Sequence, residues 1–156
     1  MNLKTNKGFS FIEALIIISI SVSLIVGVVV GFSKFNENQI IESTTSEVLS
    51  ELDKARALTI ASYDNTVYGV HIESDKIIFF KGGTYSPVGT DNKITKLSAR
   101  ISISNILLSG GGDDIIFQRL TGKTNNYGTL TISLVSDLAK TKIITIQESG
   151  IIESDI

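Results

Sequence analysis

The chain has 156 residues, 42% of them hydrophobic, and a formal net charge of −2. That length suits a membrane segment plus one domain of about 100 to 120 residues, long enough to bury a real core. The lack of cysteine excludes disulfides and thiolate metal sites, and an acidic chain without a basic block is a poor partner for nucleic acid.

Met1 to Gly8 is short and polar, with Lys4 and Lys7 as its only charges. From Phe9 to Phe32 the single charged residue is Glu13. At the helical rise this run reaches roughly 36 Å, against about 30 Å for a hydrocarbon core. The positive flank predicts a cytoplasmic N-terminus and export of the C-terminal portion. A secretory signal peptide fits poorly, because the apolar run is too long and no small-x-small cleavage site lies beyond it. A plain signal anchor leaves Gly8 and Glu13 without a reason. A lone carboxylate inside a spanning segment is costly and calls for a partner. Removing residues 1–8 takes away both lysines and leaves 12 basic against 16 acidic residues, or −4.

Past the membrane the helix is expected to continue to about Ser62, since no proline or glycine falls between Lys34 and Ser62. Ile41, Thr45, Val48, Leu52, Ala55 and Thr59 step by four and three along one face, which predicts packing on a sheet. Tyr63-Asp64-Asn65 supplies turn chemistry that ends it. Strands are predicted from Thr66 to Ile72, Lys76 to Lys81, Ala99 to Ser104, Asp114 to Gln118, Thr129 to Val135 and Lys142 to Gln147. Residues 100–104 and 130–134 alternate strictly, as half-buried antiparallel strands do. Gly69 reads as a bulge, and Ser74-Asp75 as a tight hairpin connection. Gly82 to Lys96 reads as a long loop carrying Tyr85 and Pro87. The expected fold class is therefore α+β: one long N-terminal helix, membrane-spanning in its first half, packed on an antiparallel β-sheet domain.

No catalytic constellation emerges. Gly122-Lys123-Thr124 lacks the glycine five residues earlier that a phosphate-binding loop needs; Phe117 stands there. Gly110 to Asp114 is a turn with too few oxygens for calcium, though a cation there stays open. His71, the only histidine, reads as a satisfied structural residue. No enzyme, metal or cofactor is expected.

Lys7-Gly8-Phe9-Ser10-Phe11-Ile12-Glu13 resembles the class III leader of type IV pilins and pseudopilins. The resemblance implies cleavage after Gly8 by a prepilin peptidase and N-methylation of Phe9. It also implies that the Glu13 carboxylate meets the amine of a neighbouring subunit during assembly. Glycine at position 8 leaves the bond before Phe9 open to a protease, and Glu13 lies about one helical turn beyond the new amine. Many major pilins carry a proline in the spanning run. Here the sole proline is Pro87, which favours a minor subunit. Gly27 and Gly31 offer mild flexibility or close helix packing.

The second half is similar to the GspH/FimT branch in residues 115–117, Thr121-Gly122, residues 128–132, residues 143–146 and Gly150-Ile151-Ile152. The implied organisation is a leader at 1–8, an assembly helix at 9–32 and a pilin-like domain at 33–156. The implied partners are prepilin peptidase, other pilins or pseudopilins, an inner-membrane assembly platform and lipid. The implied location is the bacterial inner membrane, single-pass, then the filament. The leading expectation is a structural subunit of a type II secretion or type IV pilus filament. The alternative is a FimT-like DNA receptor. Its basic glycine-arginine motif is replaced here by the acidic Gly150 to Ile156, so no nucleic acid is expected.

Overall fold

A computed structural model of the chain describes residues 10–155. These residues divide into two compact units, with the boundary between Asn38 and Gln39. One helix, α1 (Phe11–Ile60), runs through both.

In the second unit α1 buries the face that the sequence predicts. Ile41, Thr45, Val48, Leu52, Ala55 and Thr59 are all buried. Fully covering a side chain such as Leu52 contributes about 1.5–3 kcal/mol. The two threonines on this face satisfy their own hydroxyls. Thr45 Oγ1 donates to Ile41 O at 2.8 Å, and Thr59 Oγ1 donates to Ala55 O at 2.8 Å. Thr59 Oγ1 also accepts the Tyr68 N–H at 2.9 Å, so the helix fixes where the first strand begins.

The strands form two antiparallel sheets where the sequence suggests one. The first has the order β3 (Lys93–Lys96), β2 (Lys76–Lys81), β1 (Tyr68–Ile72), β5 (Asp114–Ile116). The second has the order β4 (Ile101–Leu108), β6 (Gly128–Leu134), β7 (Thr141–Ile146), β8 (Ile152–Ser154). One core joins Leu52 and Val48 to Val70, Ile77 and Ile115 of the first sheet and to Ile103, Ile132 and Ile144 of the second. At the tip of the β1–β2 hairpin, Asp75 O accepts the Leu97 N–H just past β3, and Ser74 O accepts the Ile103 N–H of β4, both at 2.9 Å; the second bond ties the two sheets together.

α1 ends at Ile60, close to the expected end, and the expected turn at residues 63–65 is a short 3-10 turn. Ser62, Asp64 and Asn65 take positive φ there, and Arg119 pins the turn by donating to Ser62 Oγ and Asn65 Oδ1. Gly69 is not a bulge, because its pairing with Phe80 and Ile116 is regular. Its missing Cβ makes room for the Phe80 ring, which would lie 2.6 Å away. The bulge falls instead between Ser104 and Leu107 of β4, next to Asn105 at φ 48°. Where the sequence suggests a loop and a tail, the chain forms β3 and β8. Both are short edge strands, half-exposed and without an apolar alternation.

Tyr68 is buried and stacks on Phe79, with ring centroids 5.4 Å apart. Burial pushes its phenol above the usual value, and the Asp64 carboxylate adds to this. The contribution of a neutral Tyr68 to stability is therefore complete below the ordinary tyrosine value of about 10 and is lost as pH rises through the raised one. Lys81, held charged by its hydrogen bond to Asp64, loses its pair in the same direction. We expect Tyr68→Phe to flatten the alkaline fall in unfolding free energy above about pH 10. An unchanged slope would remove Tyr68 as its source.

Candidate functional site

Gly8 and Phe9, the expected processing site, lie outside the described residues. The description starts one residue later, at the N-terminus of α1. Ser10 precedes the helix, and its carbonyl accepts the Ala14 N–H at 3.1 Å. Glu13 sits in the first turn and is exposed. A carboxylate there faces the positive end of the helix dipole. Ser10-Phe11-Ile12-Glu13 also has the spacing of a capping box, a local signal additional to the leader resemblance. Among the described residues no ion pair forms to Glu13.

The first unit presents an apolar helix. The large hydrophobic side chains described between Phe11 and Phe32 are 44% to 80% exposed. This described helix is long and apolar enough to cross a membrane. Its backbone bonds are internal, as hydrocarbon requires, and Ser19 Oγ returns its hydrogen to Leu15 O at 2.8 Å. A Cβ placed on Gly27 or Gly31 would meet nothing within 4 Å. The two glycines are four residues apart and leave an open notch of the small-xxx-small kind that admits a second helix.

The other sequence candidates resolve into structure. His71 Nδ1 lies 2.6 Å from Asp114 Oδ1, and its ring stacks on Tyr85 with centroids 3.9 Å apart and planes 10° apart. Tyr85 also leans on Phe80 at 5.6 Å. The histidine thus holds the β2–β3 loop against the outer face of the first sheet, and Asp114 is engaged in orienting it. The turn that contains Gly110 to Asp114 has Gly111 and Gly112 at positive φ and delivers Asp113 O to the Ile72 N–H. Among the described residues no group of three or more His, Asp or Glu is placed to hold a metal. Gly122 takes φ 64° and packs against Ile60, and Thr124 Oγ1 donates to Ile116 O at 2.8 Å.

The glycines that carry the C-terminal resemblance each answer to local geometry. Gly150 has φ 80°, and a Cβ there would stand 1.8 Å from Gly122 O and 2.9 Å from Arg56 Nε. Arg56 Nε donates to the same Gly122 carbonyl at 3.4 Å. Gly128 has φ 153°, and its Cβ would stand 1.9 Å from Leu107 O, opposite the bulged strand. Elsewhere Lys142 Nζ crosses from β7 to Glu42 of α1 at 3.0 Å.

A helix bearing one carboxylate in its first turn, continued into a two-sheet α+β domain, is a pilin-like architecture. No family model matches the chain, and no curated protein matches it. Among solved structures it is similar to the minor pseudopilin EpsH from the type 2 secretion system of Vibrio cholerae. The TM-score is 0.54 at 15% identity, covering 74% of this chain and 95% of that one. The likeness establishes the fold.

Proposed function

We propose that the chain is a minor pseudopilin-type subunit, cut after Gly8, methylated on Phe9 and assembled into a filament through α1. The observation that carries this reading is the bare apolar helix of residues 11–32, which begins with Glu13 and leads into a domain with the fold of a minor pseudopilin. In this reading the membrane covers the helix before assembly and neighbouring subunits cover it afterwards. Prepilin peptidase and an inner-membrane platform are the partners that each step requires. The soluble unit lies outside the cytoplasm, on the side away from Lys4 and Lys7. In this reading the role is structural, that of a filament subunit.

A FimT-like DNA receptor is the competing reading. Glu153 and Asp155 are exposed at the C-terminal edge, where that reading needs arginine, and they repel a phosphate backbone. Mass spectrometry of the chain recovered from membranes tests the proposal. We expect a mature species beginning at methylated Phe9; a chain still beginning at Met1 would overturn it.

A further inference from the structure

Within the second unit, β7 is fastened to α1 at two levels. Lys142, near the start of β7, reaches Glu42 at 3.0 Å. The turn that follows β7 meets the helix higher up, where a Cβ on Gly150 would stand 2.9 Å from Arg56 Nε. Strand β7 therefore runs alongside α1 in the same direction. The turn that precedes it, between β6 and β7, points toward the end of this unit at which the chain enters, Gln39.

That turn, residues 135–140, offers two large apolar side chains to its surroundings: Val135 is 58% exposed and Leu138 73% exposed. Its backbone is held in place. Val135 N–H donates to Arg100 O at 2.8 Å, and Lys140 N–H donates to Asp137 O at 3.0 Å. Asp137, the one acid in the turn, is folded back to accept the Ala139 N–H at 3.1 Å. Arg100, joined to the turn through its carbonyl, is exposed. Single exposed apolar residues are common on any surface. Leu120 is one, 79% exposed, at the opposite end of the unit, where Gly122 packs on Ile60. Val135 and Leu138 differ from it in their place. The apolar run ends at Phe32, seven residues before Gln39, and even fully extended that connection spans no more than about 25 Å.

We infer that the β6–β7 turn rests on the lipid surface from which α1 emerges, with Val135 and Leu138 entering the headgroup layer and Arg100 among the phosphates. Two apolar side chains cover too little area to hold a free protein on a bilayer. On a short tether the contact becomes intramolecular, and a weak surface is then enough. The contact orients the domain on the membrane and is given up when the subunit leaves it. The inference rests on the membrane-spanning part of the reading above.

The test exploits a chain that has no native cysteine. An environment-sensitive nitrobenzoxadiazole label is attached to Ser136→Cys, Leu120→Cys or Val22→Cys in the full chain. Each is reconstituted at low density in phosphatidylcholine–phosphatidylglycerol vesicles, a fraction of whose lipids carry a nitroxide on the headgroup. The emission of the label at 22 reports insertion of the helix. Quenching at 136 is expected to exceed that at 120 by about threefold or more, and to fall to the level at 120 when Val135→Ser and Leu138→Ser are added. Equal quenching at 136 and 120, with the label at 22 in an apolar environment, overturns the surface contact and leaves the spanning helix standing. Quenching at 136 that survives the two serines overturns it as well. A label at 22 that emits as it does in water removes the membrane reading and this inference together.

Discussion

Gly150→Ala is expected to destabilise the domain by roughly 3 kcal/mol or more, seen as a fall of about 10 °C or more in the thermal midpoint. The reason is geometric. At φ 80° an L side chain is already strained, and its Cβ would be driven to within 1.8 Å of Gly122 O, a backbone atom with no rotamer to escape into. Gly122→Ala provides the internal comparison. Its Cβ at φ 64° would meet Ile60 Cδ1 at 2.6 Å, the end of a side chain that can turn aside. The loss there should be smaller, about 1–2 kcal/mol. Thermal unfolding of the full chain in detergent, measured by near-ultraviolet circular dichroism, reads both. Equal losses would mean that the Gly122–Gly150 contact is not what constrains position 150.

Glu13→Ala is expected to abolish assembly while leaving membrane insertion intact. Removing a carboxylate from an apolar segment eases insertion, since a charge at the centre of a bilayer costs about 2.5–3.5 kcal/mol even on translocon scales. A defect in assembly would then reflect a lost partner for the charge. Position 13 also fits a capping box, so Glu13→Gln separates the two roles: it keeps a hydrogen-bonding group at the third helical position and discards the charge. Carbonate-resistant membrane fractions measure insertion, and filaments sheared from the cell surface measure assembly. If Glu13→Gln assembles normally, the carboxylate serves the helix end and not a neighbouring amine.

How far an element is legible in the sequence depends on the physical signal it leaves there. The helix face from Ile41 to Thr59 is readable because burial on one side of a helix forces steps of three and four, and Ile41, Thr45, Val48, Leu52, Ala55 and Thr59 are all buried. Strand β6 is readable because Leu130, Ile132 and Leu134, all buried, alternate with Thr131 and Ser133. Strands β3 and β8 leave no such trace. An edge strand is half-solvated and spends its positions on lysine or glutamate. The division into two sheets is equally silent, because alternation says which residues face inward and not which strands pair. Gly69 shows the same limit: a glycine within a strand reads as a bulge when the ring that fills its place, Phe80, belongs to the next strand. Of the site, Glu13 is legible from its isolation among apolar residues. The seating of Gly122 against Gly150 is not, since it joins turns far apart in the chain.

The strap formed by residues 82–92 separates two jobs. It is anchored through Tyr85 on His71 and Phe80, and its tip closes on itself: Gly89 N–H and Asn92 Nδ2 both bond to Ser86 O, at 3.0 and 2.8 Å. The apex is bare, with Val88 at 88% exposure. Anchor and apex are therefore separate modules. Sequence and length can drift between Ser86 and Asn92 without disturbing either sheet, which makes this loop the natural place to mount an epitope, an affinity tag or a label on the outside of the domain.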